Sequence, residues 1–134
     1  MKQALIDTNI LSYFLRGDTA VVNKFRDYRQ HHTYLSFSIF TYYETKSGLL
    51  YRDARKQMSR FEQLAKISEI IDFDQSIADT ASDAYRSLRA SGLTVAPIDL
   101  LIGATAICYD YTLITANIKH FKNIPGIRYE NWAV

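Results

Sequence analysis

Apolar residues occur along the chain in two alternating patterns, and the alternation predicts an α/β fold. Short apolar runs predict buried strands at residues 4–6, 34–37, 69–73, 111–115 and 127–129. Between these runs, apolar residues recur at the three- and four-residue spacing of amphipathic helices. Strands that alternate with helices imply a mostly parallel central sheet of four to five strands, with helices on both faces. The expected architecture is one such domain over residues 1–134.

Three acidic residues fall where this fold would place ligands. Asp7 follows the first strand directly, at the edge where open α/β sheets bind ligands. Asp99 begins an apolar helix predicted at about 100–109, at its cap or in its first turn. Glu44 lies among aromatic and apolar neighbours on a helix predicted at about 39–51, where a carboxylate needs a cation or hydrogen bonds. Simple helix caps and an ordinary surface glutamate remain open as alternatives.

A polar turn at residues 115–117 follows the fourth strand much as the turn at residues 7–9 follows the first. Carboxylates without a cysteine or a well-placed histidine suit a hard, oxygen-preferring cation, Mg²⁺ or Mn²⁺. Such an ion polarises a phosphoryl oxygen and lowers the pKa of water, so phosphodiester hydrolysis would need no histidine base. The sequence therefore favours metal-dependent phosphodiester chemistry.

The segment 46–66 contains six basic and two acidic residues, a local charge of +4. Most of its basic residues share the helix face opposite an apolar stripe, which is usually a solvated face but is also what a phosphate backbone requires. The residues predicted to contact such a phosphate backbone are Lys46, Arg52, Arg55 and Lys56.

Composition excludes several classes of protein. With 48% hydrophobic and 22% charged residues, the 134-residue chain is globular rather than disordered. No apolar run approaches the ~20 residues of a membrane span, and no signal-peptide pattern is present, so a cytoplasmic protein is expected. Cys108 is the only cysteine, which excludes an internal disulfide, and it is predicted to be a small buried residue in a helix. Glycine-rich phosphate loops and nucleophile elbows are missing, which disfavours nucleotide-binding and serine hydrolase chemistry.

Four motifs in order along the chain resemble those of the PIN domain family, and in particular its VapC-type ribonuclease toxins. The motifs are residues 5–9, residues 38–44 with 48–49, residues 97–106, and residues 113–117 followed by Phe121, Pro125-Gly126-Ile127 and Trp132. Each motif is weak alone, but together they cover essentially the whole chain. Many family members have a fourth aspartate at the position of Asn117, so one well-held ion rather than two is expected here.

The resemblance implies a bacterial, cytoplasmic, Mg²⁺-dependent endoribonuclease, with Mn²⁺ able to substitute, acting as the toxin of a type II toxin–antitoxin system. It implies an RNA substrate, a homodimer, and a VapB-like antitoxin that occupies the active-site groove. The implied catalytic and metal-binding residues are Asp7, Glu44 and Asp99, with Thr8, Asn9, Thr115 and Asn117 in support. The alternatives are a DNA nuclease, a broader RNA-processing enzyme, and a degenerate PIN module that binds RNA or a protein without cleavage.

Overall fold

A five-stranded sheet, parallel at every pairing, forms the centre of the molecule. The computed structural model describes residues 2–134. The strands are β1 (Ala4–Ile6), β2 (Ser36–Ser38), β3 (Glu69–Ile71), β4 (Thr112–Ile114) and β5 (Tyr129–Glu130). Their order across the sheet is β3-β2-β1-β4-β5. The strands β2 and β3 therefore lie on one side of β1, and β4 and β5 lie on its other side. The point where strand order reverses lies between β1 and β4, and open α/β sheets bind ligands at the carboxyl ends of such strands.

Helices cover both faces of the sheet. They are α1 (Thr8–Leu15), α2 (Thr19–Arg29), α3 (Ile39–Tyr51), α4 (Arg55–Lys66), α5 (Gln75–Ala90), α6 (Pro97–Tyr109) and α7 (Ile118–Phe121). Two apolar cores result, because successive strand residues point to opposite faces. Ile6 belongs to the core under α1–α4, whereas its neighbour Leu5 belongs to the core under α5–α7. The predicted α/β architecture is confirmed.

The boundaries of several elements differ from those predicted. β2 begins at Ser36 rather than at Tyr34, which is 56% exposed, and it ends at Ser38, whose hydroxyl caps α3. β3, β4 and β5 are also shorter than predicted or shifted along the chain. α6 begins at Pro97, three residues earlier than predicted, because proline needs no hydrogen bond in the first turn of a helix. The four-residue helix α7 was not predicted at all.

Cys108 is exposed, and its predicted burial is wrong. It lies on α6 where that helix meets α5, and its Sγ is 3.0 Å from Thr80 Oγ1. The apolar residues of α6 therefore cover more of the helix surface than the part that is buried. Within residues 2–134, none of the helices combines the length and the apolar character needed to cross a membrane.

Candidate active site

Asp7 lies at the switch point between β1 and β4 and is only 4% exposed. Its backbone N–H donates to Ile114 O of β4 at 2.9 Å, which fixes the residue at the end of both strands. Its carboxylate accepts two hydrogen bonds, from Thr8 N at 2.8 Å and from Thr115 Oγ1 at 2.7 Å. Asp7 is thus the N-cap of α1, as the simpler interpretation held, and it is also buried at the ligand-binding edge of the sheet.

Burial raises the pKa of Asp7 from its ordinary value of 3.8 to about 6. The two hydrogen bonds oppose this rise, because they stabilise the ionised form. The negative charges of Asp99 and Glu44 add to the rise, which shows that these side chains are near enough to repel it. The structure thus brings all three predicted carboxylates into one electrostatic neighbourhood.

Glu44 is joined to the start of α1 by a short hydrogen bond. Thr8 Oγ1 donates to Glu44 Oε1 at 2.6 Å, and the hydroxyl of Thr41, one turn earlier on α3, is 3.4 Å from the same threonine oxygen. Glu44 is partly buried on the side of α3 that faces α1. It is therefore not the ordinary outward-facing glutamate that the sequence left open.

Asp99 lies in the first turn of α6 and is 22% exposed at its side chain. The imidazole of His120, at the end of α7, places Nδ1 3.2 Å from Asp99 Oδ2. The sequence indicated no well-placed histidine, and that expectation is wrong. No spacing in the sequence announces this contact, because it depends on α7, a helix too short to leave a periodic pattern.

Of the residues predicted to support the site, two threonines contact its carboxylates directly. Thr8 binds Glu44, and Thr115 binds Asp7. Asn9 supports the site less directly. Its Oδ1 accepts a hydrogen bond from Ala116 N at 3.2 Å, which connects α1 to the turn after β4. Asn117 donates its backbone N–H to Thr115 Oγ1 at 2.9 Å, while its exposed side chain makes no hydrogen bond to α7.

The structure divides the predicted basic patch. Arg52 follows α3 and lines a crevice of about 70 Å³ that Thr8 and Glu44 also line. Lys46 lies over the ring of Tyr42, with Nζ 5.5 Å from the ring centroid. Arg55 is paired with Asp53 at 3.1 Å, and Lys56 is exposed on α4. Arg52 is the predicted phosphate contact that lines the same crevice as Glu44.

The donor set at this edge fits a hard divalent cation. Asp7, Glu44 and Asp99 offer only oxygen ligands, and their mutual repulsion at Asp7 is what a bound cation would relieve. Within residues 2–134, no three histidine, cysteine, aspartate or glutamate side chains lie close enough together to hold an ion by themselves. Magnesium suits such an arrangement, because it is usually held by one or two carboxylates together with waters and substrate phosphates.

Comparison with known proteins assigns the family. The model of the PIN domain matches residues 4–127, nearly the whole chain. The chain belongs to the PIN domain family. The family resemblance carried by the four sequence motifs is thereby confirmed.

This PIN domain protein is similar to VapC ribonucleases, to one of them over nearly its full length and to another over about half of it. Ribonuclease VapC2 of Rickettsia felis is 30% identical over 130 residues, which cover 96% of both chains. The tRNA(fMet)-specific endonuclease VapC of Salmonella typhimurium is 33% identical over 64 residues, 48% of each chain.

Solved structures agree with this likeness. In the crystal structure of VapBC2 from Rickettsia felis bound to a DNA fragment from their promoter, the matching chain is 27% identical and has a TM-score of 0.86. That match covers 96% of this chain and 98% of the other. FitAcB from Neisseria gonorrhoeae has a TM-score of 0.84 at 22% identity, covering 97% of this chain and 98% of that chain, which is a likeness of fold alone.

Proposed function

We propose that this PIN domain protein is a metal-dependent endoribonuclease that acts as the toxin of a toxin–antitoxin pair. The observation that carries the proposal is the buried Asp7 carboxylate, whose pKa is raised by burial and by two further carboxylates at the switch point of the sheet. A buried acid held among like charges at a ligand-binding edge is typical of functional sites. The similarity to ribonuclease VapC2 supports RNA as the substrate.

Asp7, Asp99 and Glu44, together with water molecules and a phosphate of the RNA, would hold a Mg²⁺ or Mn²⁺ ion. When bound, the ion would polarise a phosphoryl oxygen and lower the pKa of the water bound to it. Thr115 and Thr8 orient the carboxylates of Asp7 and Glu44 through their hydrogen bonds. Arg52, beside Glu44, would bind a neighbouring phosphate of the RNA backbone and set the strand in register.

The test is incubation of the purified protein, free of any antitoxin, with total cellular RNA and Mg²⁺ or Mn²⁺, followed by sequencing of the fragment ends. A few discrete cuts that disappear with EDTA are expected. Asp7→Asn, Glu44→Gln and Asp99→Asn should abolish them, because each removes a charged ligand while keeping the side-chain shape. Asp79→Asn, an exposed position on α5, is the matched control and should cut like the original protein. Full activity in the Asp7 or Asp99 variant would rule out this site.

A second candidate is a PIN module that binds RNA or a protein without cutting it, and Asn117 is the observation that favours it. Asparagine at this position leaves the site with one carboxylate fewer than many family members have. RNA binding without cuts in either metal would support this candidate. In that case Asn117→Asp should restore cleavage if the missing charge is the cause.

The proposed protein partner is a VapB-like antitoxin, since several similar solved structures are VapBC complexes. The surface that supports this proposal is the outer side of α3, where Tyr43, Leu50 and Tyr51 are 64%, 65% and 92% exposed. Large apolar side chains exposed on one helix are what a protein partner would cover. The homodimer implied by the resemblance also remains a proposal, and a second copy could cover the apolar groove of about 390 Å³ between α5 and α6.

A further inference from the structure

We propose that His120 is a positioning residue of this site, which holds the Asp99 carboxylate in the orientation that cation binding needs. This inference rests on the proposed metal site. It adds a residue that the sequence did not predict, because it assigns the orientation of the Asp99 carboxylate to a histidine.

The direction of the hydrogen bond follows from chemistry. An ionised carboxylate can only accept hydrogen bonds, so His120 Nδ1 must carry the proton that it donates to Asp99 Oδ2 at 3.2 Å. In a neutral imidazole this fixes the proton on Nδ1 and leaves the lone pair on Nε2. The contact thus selects one tautomer of the ring as well as one orientation of the carboxylate.

Each of the three carboxylates has a dedicated side-chain donor. Thr115 orients Asp7, and Thr8 orients Glu44. Across residues 2–134, His120 is the one group that hydrogen-bonds the Asp99 side chain. Without it, this carboxylate would be free to rotate, and part of the energy of cation binding would be spent on fixing it.

Packing of α7 on α6 explains how an exposed histidine can reach this position reliably. Phe121, next to His120, is fully buried and lies against α6 at Gly103, one turn beyond Asp99. A Cβ at Gly103 would be in ordinary contact with Phe121 Cδ1 at 3.8 Å, and it would lie only 2.8 Å from the Cδ1 atom of Ile124, which follows α7. Phe121 and Ile124 thus pack α7 and the residues after it against α6 beside the contact, although the imidazole itself is 56% exposed.

The first experiment measures cation affinity without any substrate. Mn²⁺ and Mg²⁺ are titrated calorimetrically into the original protein and into His120→Ala, His120→Asn and His31→Ala. Residues that orient metal ligands typically contribute 10- to 100-fold to metal affinity, so His120→Ala should weaken binding by about that factor. His120→Asn should restore most of the affinity, because its amide Nδ2 can donate from nearly the same place. His31 is an exposed histidine outside the site, and its removal should change nothing.

Unchanged affinity in His120→Ala would overturn the proposal. Equal loss in His120→Ala and His120→Asn would also overturn it, since the imidazole would then be acting as a ligand and not as a donor to Asp99. Because the side chain is largely exposed, thermal melts of both variants should match the original protein and exclude misfolding as the cause.

A second measurement separates this proposal from the proposed function. Nitrogen NMR of the neutral imidazole should show the Nδ1–H form in the original protein and lose that preference in Asp99→Ala, which has no acceptor at this position. If the protein binds neither cation, the metal-dependent function fails, and the tautomer still reports whether His120 holds Asp99. An Nε2–H tautomer in the original protein would contradict the positioning role whatever the cation data show.

Discussion

At the scale of single residues, Asp7 is the carboxylate of the site whose ionisation is opposed by burial and by nearby negative charges. Its carboxylate is almost inaccessible to water and faces two other acids, yet it receives only two hydrogen bonds. Such a group destabilises the protein whenever it is ionised and no cation is bound. The cation-free fold therefore carries a strain that a bound cation would relieve.

Asp7→Asn should stabilise the cation-free protein at alkaline pH. In the fold, the pKa of Asp7 is about 6 rather than 3.8, so stability present in full below pH 4 is lost as the pH rises through 6. The loss corresponds to about 3 kcal/mol, and the substitution sacrifices one hydrogen bond of about 1 kcal/mol. In EDTA at pH 8, the variant should thus gain about 1 to 2 kcal/mol.

Urea denaturation at pH 8 and pH 4 checks this expectation. The stabilisation should vanish at pH 4, where Asp7 is protonated in the fold. Asp79→Asn removes an exposed carboxylate and should leave the free energy of unfolding unchanged at both pH values. If Asp7→Asn is less stable than the original protein at pH 8, the hydrogen bonds that Asp7 accepts contribute more to stability than burial of its charge costs.

At the scale of elements, the boundary between α3 and α4 decides which basic residues can serve the site. The sequence places Arg52 and Arg55 on one continuous face, but the structure ends α3 before Arg52 and turns the chain at Asp53, whose φ is +50°. Arg52 then folds back over α3, with a guanidinium nitrogen 3.2 Å from where a Cβ of Gly48 would lie. Arg55 instead pairs with Asp53 at the surface.

Arg52→Ala should therefore weaken RNA binding more than Arg55→Ala does. Both variants lose one positive charge, so they differ mainly in whether that charge lies beside Glu44. Loss of one phosphate contact should lower the slope of log affinity against log salt by about 1. Binding of uncleaved RNA to the Asp99→Asn protein, measured at several salt concentrations, tests this, and equal losses in the two arginine variants would contradict it.

Elements with strong local signals could be predicted, and those that depend on tertiary packing could not. Ala4–Ile6 is a fully buried apolar run, and Asp7 follows it with cap chemistry, so both the strand and the acid were found. α7 has four residues, and Phe121 alone anchors it, so no periodicity could reveal it. His120 was missed for the same reason, because its neighbour Asp99 is 21 residues away and on another helix.

At the scale of the whole molecule, the carboxylate edge and the exposed apolar side of α3 are neighbours, since Glu44 lies on the same helix as Tyr43, Leu50 and Tyr51. A partner that covers these side chains would also lie next to the proposed RNA path. Inhibition by an antitoxin would then need no change in the site itself, because covering its approach would be sufficient.

Leu50→Asp should weaken binding of a VapB-like antitoxin and leave RNA cleavage intact. Leu50 is 65% exposed, so the substitution removes no core packing, but it puts a charge into a surface that the partner must desolvate. Calorimetric titration of the antitoxin into the variant and into Asp79→Asn, together with the RNA assay, provides the check. Unchanged antitoxin affinity would place the partner elsewhere on the molecule.

The hydrogen bond between Asp7 and Thr115 joins residues 108 positions apart, and this has a consequence for biosynthesis. A nascent chain that has emerged only as far as α5 displays Asp7 and Glu44 but not Asp99, Thr115 or His120. At ribosomal speeds of about 5 to 20 residues per second, roughly 5 to 20 seconds separate translation of the two residues of that bond. During this time the growing polypeptide is attached to the ribosome, with messenger and transfer RNAs close by, and without a complete site it would cut none of them. Long-range assembly of the site would thus delay the proposed ribonuclease activity until the late segments have left the exit tunnel.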